Sequence, residues 1–172
     1  DGIRDKLVTG VQTCALPICC GPKVPPPALF AYRPRGVPPT SGAPVAGAVV
    51  GFRSGFAVTW TWDIGRRAFT RSIFGAADVS GAGTTLAPRN VVVMWARYVG
   101  GTSSGFGAEA LLTGSGRLLV LTGGRRIEGT WSRPDAERPA RLLDAAGTEI
   151  RITPGQTWVE LPDESYPVTT QP

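Results

Sequence analysis

The chain has 172 residues, 42% hydrophobic and 18% charged, with 23 glycines, 16 prolines, no histidine and a formal charge of +5. That is the composition of one turn-rich globular domain with a single workable core, and no apolar run approaches the roughly 18 residues of a membrane span. The lack of histidine removes the usual general base and the usual partner for a cysteine metal site.

The first stretch, "DGIRDKLVTGVQTCALPICC", imitates a lipoprotein signal, with Arg4 and Lys6 ahead of an apolar run and Cys19 and Cys20 behind it. Thr9, Gly10, Gln12, Thr13 and Pro17 interrupt the run, which a true signal core does not tolerate. "DGIRD", two further residues and "VTGVQTCALPI" look like one reading frame of a sequencing-library adapter with its index. Residues 1–19 therefore read as translated adapter, and with Cys20 at the junction residues 1–20 are set aside as no domain. Cys14, Cys19 and Cys20 then carry no metal or redox chemistry, and C-x-x-C pairing is absent in any case.

Residues 21–46, "GPKVPPPALFAYRPRGVPPTSGAPVA", alternate prolines with small residues and predict an extended strap. Leu29, Phe30 and Tyr32 are too apolar for a pure linker and point to packing against a sheet or a preceding domain. From Gly47 to Leu161 short β-branched and aromatic runs alternate with turn residues. Strands are predicted over 48–52, 56–63, 68–73, 90–99, 108–114, 116–124 and 125–133, with a strand, turn and strand over 141–153 and a last short strand in 154–161. "NVVVMWARYV" (90–99) reads as a central strand buried on both faces. Residues 162–172 are polar, carry three prolines and are expected to fray. The expected fold is all-β, a sandwich or strongly bent barrel of about eight to ten short, mostly antiparallel strands.

"RNVVV" (89–93), "GSGRLLVLTGGRRIEGTWSR" (114–133) and "LLDAAGTEIRITPGQTWVEL" (142–161) resemble the C-terminal domain of the YerB-like bacterial envelope lipoproteins, the domain of unknown function 3048 family. The resemblance implies a β-rich domain that follows an N-terminal α/β domain behind a lipid-anchored signal. On that reading this chain is a fragment, and the parent lies outside the cytoplasmic membrane. The family supplies no established activity, hence no catalytic residue to transfer and no cofactor.

The cations are nearly all arginine and are scattered, which reads as the codon bias of a GC-rich gene ahead of an anion-binding surface, so no nucleic-acid partner is expected. No phosphate loop, nucleophile elbow or calcium loop is present. Asp63, Asp78, Asp135 and Asp144 sit where turns need an Asx side chain. Trp60, Trp62 and Trp95 have the spacing of core residues. Four residues stand out as candidates for interaction. Arg71 falls between Phe69 and Ile73 on an apolar strand face, as a buried ion-pair partner or a side chain snorkelling to an edge. Asn90, the only asparagine, reads first as a loop-to-strand hydrogen bond and second as a binding-site amide. Trp131 and Arg133, flanked by small polar residues, leave open an exposed indole–guanidinium patch. Three functions follow: a non-enzymatic β module packing on its own N-terminal domain or an envelope protein; a wall-polymer or glycan binder using Trp131; and the inert half of an enzyme whose site lies elsewhere.

Overall fold

Alternation of apolar and polar side chains keeps most of the chain extended, and the computed structural model describes it over residues 28–53, 55–101 and 107–172. The adapter reading of residues 1–20, the start of the strap at 21–27 and most of the glycine-rich connection after Gly100 lie outside the described residues. Those residues form β1 (Ala43–Pro44), β2 (Gly47–Arg53), β3 (Phe56–Asp63), β4 (Ala68–Ile73), β5 (Ala76–Ala77), β6 (Asn90–Met94) and β7 (Arg97–Val99). They continue through β8 (Glu109–Leu111), β9 (Gly114–Thr122), β10 (Arg125–Arg133), β11 (Arg141–Asp144), β12 (Thr157–Glu160) and β13 (Val168–Gln171).

Two sheets stack as a sandwich, and neither closes into a barrel. One runs β1-β10-β9-β6-β12 with β11 also paired to β10, and the other runs β13-β2-β3-β4-β5. β7 and β8 form a separate two-stranded ribbon. Among the described residues no helix is long and apolar enough to cross a membrane.

The larger sheet is covered on both faces, and its sequence shows why. In β6, Val91 and Val93 point into the core shared with Val50, Val58, Trp60 and Phe69 of the other sheet, while Val92 and Met94 point the opposite way. β9 repeats this, with Leu119 and Leu121 inward and Leu118 and Val120 outward. The outward set meets Ile127, Trp131, Leu142, Ile150 and Ile152, and the strap adds Phe30 to it. The strap is thus part of the domain: Tyr32 bridges Ile152 in parallel, and β1 pairs with Arg125 and Arg126.

The apolar run 90–99 is not one strand. β6 is buried throughout, but the chain leaves the sheet after Trp95, and Arg97–Val99 is exposed in the ribbon. Arg97 and Tyr98 carry polar ends that cannot lie between two apolar layers. Residues after the Asp144–Gly147 turn hold isolated bridges, Leu143 with Glu149 and Tyr32 with Ile152, in place of a second strand. β12 runs parallel to β6, with Trp158 beside Val91, a long crossover where a meander would have given an antiparallel neighbour.

The tail does not fray. β13 pairs antiparallel with β2, Val168 against Val50 and Gln171 against Gly47, and Gly51 N–H donates to the Pro167 carbonyl at 3.0 Å. This strand supplies the edge that β2 would otherwise leave open. Deleting residues 168–172 is expected to lower stability by on the order of 2 kcal/mol, because Val168 packs against the shared core and its backbone satisfies β2. Urea denaturation reads this; an unchanged midpoint would show that the tail contributes nothing.

Candidate functional site

Arg71 lies on β4 where alternation turns it inward, opposite Trp60 in the cross-strand register. Its guanidinium is 5.1 Å from the Trp158 ring centroid and 5.8 Å from that of Trp60. Its Nε donates to Glu160 Oε1 at 3.4 Å, and a terminal nitrogen pairs with Asp78. Trp60 Nε1 donates to the same Glu160 oxygen at 3.1 Å. Of the two sequence readings of Arg71, the ion-paired one holds, with the side chain 12% exposed. Asp78 is therefore more than a turn residue, whereas Asp63, Asp135 and Asp144 accept backbone N–H bonds within their own turns.

Glu160 was not distinguishable in the sequence from a solvent-facing strand residue, yet it is buried. Burial raises its pKa above the ordinary glutamate value, and the opposing pull of Arg71 and the Trp60 hydrogen bond does not cancel this. A buried carboxylate with a raised pKa is the profile of a general acid. Five clefts among the described residues are lined by other side chains and not by Glu160, Arg71 or Asp78. The cluster joins the two sheets through hydrogen bonds and ion pairs.

Asn90 is wholly buried at the start of β6 and uses every polar atom on structure. Its Nδ2 donates to the Thr153 carbonyl at 2.9 Å and to Thr157 Oγ1 at 3.0 Å, while its Oδ1 accepts from Thr122 Oγ1 at 2.7 Å and Thr153 N–H at 3.0 Å. The loop-to-strand reading is the one observed. The same network reaches the strap: Arg33, 8% exposed, donates to Val37 and Arg151 carbonyls at 2.9 Å and to the hydroxyls of Thr122 and Thr153.

Trp131 is not on the surface. It is 2% exposed in the second core, and its Nε1 donates to the Trp95 carbonyl at 2.9 Å. Its cross-strand partner is Gly116, where an added Cβ would come within 2.6 Å of the indole nitrogen, so the missing side chain makes room for the ring. The exposed indole–guanidinium patch is thereby overturned, and with it a wall-polymer site built on Trp131. Arg133 instead holds the 134–140 loop, donating to the carbonyls of Arg138 at 2.7 Å and Ala136 at 2.5 Å. The four sequence candidates do not converge: Arg71 ties the sheets, Asn90 the strap network, and Trp131 and Arg133 lie on β10 with separate tasks.

One surface open to a partner lies along the strap. A groove of about 540 Å³ runs beside its first described residues, bordered by Leu29, Phe30, Pro139, Ala140, Leu142 and Ile150. Leu29 is 67% exposed on its rim. Among the described residues there is no group of three side chains suited to hold a metal ion.

The architecture and its surface define a two-sheet β sandwich with a strap laid over one sheet and an apolar groove at the strap's start. Residues 48–159 match the family described as "Protein of unknown function (DUF3048) C-terminal domain", and the chain belongs to that family. Among solved structures it is similar to the crystal structure of the YerB protein from Bacillus subtilis, at 19% identity and a TM-score of 0.62 over 81% of this chain. That likeness concerns the fold, and the chain spans 46% of the length of YerB. No curated protein matches.

The raised pKa of Glu160 has a consequence for stability. Its folded state binds a proton more readily than its unfolded state, so its contribution is fully present below pH 4.5, the ordinary glutamate value, and is lost as pH rises through the raised folded value. Urea titrations of wild type and E160Q across that window are expected to show wild type losing ground to E160Q as pH increases. Wild type gaining on E160Q would mean that ion pairing with Arg71 outweighs desolvation.

Proposed function

We propose that this domain is a non-enzymatic β module of an envelope lipoprotein, and that its task is to pack against the N-terminal domain of the longer parent protein. The parent is held outside the cytoplasmic membrane through a lipid. The observation that carries the packing role is the exposed Leu29 on an apolar groove at the place where the strap joins the sandwich. An aliphatic side chain left in water beside apolar walls gains on the order of 2 kcal/mol when a partner covers it. The chain spans less than half of the YerB length, so a full-length relative has a further body of comparable size. Ala28 and Leu29, which line that groove, lie on the N-terminal side of the strap, the side from which a preceding domain of the parent enters.

The envelope reading rests on the resemblance to the YerB-like lipoproteins, and the non-enzymatic reading is supported by the structural work carried by Arg71, Asn90 and Trp131. Side chains already fully bonded within the fold are poor catalysts and poor ligands.

Hydrogen exchange on the full-length parent and on the 172-residue chain tests the packing role. Amides of Leu29–Ala31 and Ala140–Leu142 are expected to exchange at least tenfold more slowly in the parent, with L29D removing much of that difference. Equal exchange in both proteins would sink the reading. Incorporation of labelled palmitate into the parent, with recovery in the membrane fraction, tests the location; an unlabelled cytosolic parent would refute it.

A further inference from the structure

Arg33 is buried, and no carboxylate among the described residues lies within ion-pairing distance of it. Its bonds go to neutral carbonyls and hydroxyls, and burial pulls its pKa down, the mark of a charge short of compensation. Three more guanidiniums face the same cleft of about 650 Å³: Arg35 from the strap, Arg67 from the β3–β4 hairpin and Arg89 at the entry to β6. No aspartate or glutamate lines it. The nearest hairpin acid, Asp63, is taken by Arg66, and on the far side of the strap Glu149 faces Arg141 and Asp144 caps its own turn.

The cleft is shaped for what it holds. At Gly124 a Cβ would approach the Trp62 ring to 2.9 Å, and at Gly155 it would approach Arg89 Cγ to 2.6 Å, so both glycines give way to side chains of the cleft. Arg67 has a left-handed backbone, φ 52°, where glycine would sit without strain. Its carbonyl also accepts from Arg89 Nη1 at 3.3 Å, which holds the two arginines side by side. Trp62 and the prolines 38 and 39 give an apolar wall, and Ile64 is 82% exposed beside them.

We propose that this cleft is a binding site for a phosphate ester whose organic group is apolar or aromatic. Guanidinium forks match the oxygens of phosphate, and several cations without a lining acid favour a ligand with more than one negative charge over a monocarboxylate. Arg35, Arg67 and Arg89 contact the phosphate; Arg33, with most of its donors committed, supplies buried positive potential and fixes the strap. Trp62 and Ile64 take the apolar group. The site is independent of the Leu29 groove and of the packing role.

Calorimetric titration of the full 172-residue chain with phenyl phosphate, inorganic phosphate and benzoate, at ionic strength fixed with sodium chloride, tests the assignment. Phenyl phosphate is expected to bind saturably and more tightly than either other probe. R67G is expected to weaken it at least tenfold without lowering the melting temperature, since glycine suits that backbone, and R35A to weaken it too. R66A, on an arginine outside the cleft, is expected to match wild type. Absence of saturable binding, benzoate or inorganic phosphate binding as tightly as phenyl phosphate, or R67G binding like wild type would each overturn it.

Discussion

The two sheets are joined through one buried carboxylate. Glu160 comes from β12 of the larger sheet, while Trp60 and Arg71 come from β3 and β4 of the smaller one, and all three meet at Glu160 Oε1. Apolar packing alone lets stacked sheets slide, because dispersion contacts have no preferred direction. A hydrogen bond and an ion pair that must both end on one oxygen do have one. Losing Arg71 would leave the buried Glu160 without its cation, a far larger penalty than the pair is worth intact. The cluster therefore specifies how the sheets sit more than it adds to net stability. Its acid is held with a raised pKa because the wall of tryptophans keeps water away.

The second constraint is that the larger sheet has two apolar faces. A sheet with Val92, Val120 and Ile127 on its outer side must be covered, and no helix is present among the described residues to do so. The strap and the segment around Ile150 and Ile152 take that place. Both are irregular and leave backbone groups without a ladder, and the Asn90, Thr122, Thr153 and Arg33 network supplies their partners. The asparagine is central because its amide donates and accepts at once, which no apolar or purely acidic side chain does.

The local elements were legible where side-chain alternation was strong. Residues 56–63, 68–73 and 125–133 announce β3, β4 and β10 with their observed bounds, because an inward–outward pattern of period two has only one extended solution. What alternation cannot encode is the identity of the neighbour. That β12 lies parallel to β6, and that the polar tail finds β2, depends on where distant segments arrive. The same limit hid the chemistry. Glu160 looks like any strand glutamate until Trp60 and Arg71 stand opposite it, and "EGTWSR" looks wet until Gly116 is seen to yield its space to Trp131. The arginines were read as scattered, and along the chain they are; folding brings Arg33, Arg35, Arg67 and Arg89 from three separate segments to one cleft.

Once these internal demands are met, two unmet ones remain along the strap. Its first residues border apolar surface with Leu29 in solvent, and its middle carries a guanidinium buried without an opposite charge. Both features are costly in isolation: one exposes hydrocarbon, the other removes a cation from water. A strap needed only as a cover would be better served by apolar residues facing the sheet and uncharged ones above it. Phe30 shows that this chain can provide them. Arg33 beneath the strap and Arg67 at a left-handed hairpin position both line the cleft, and the positive charge gathered there without a lining carboxylate is the feature on which the proposed phosphate site rests.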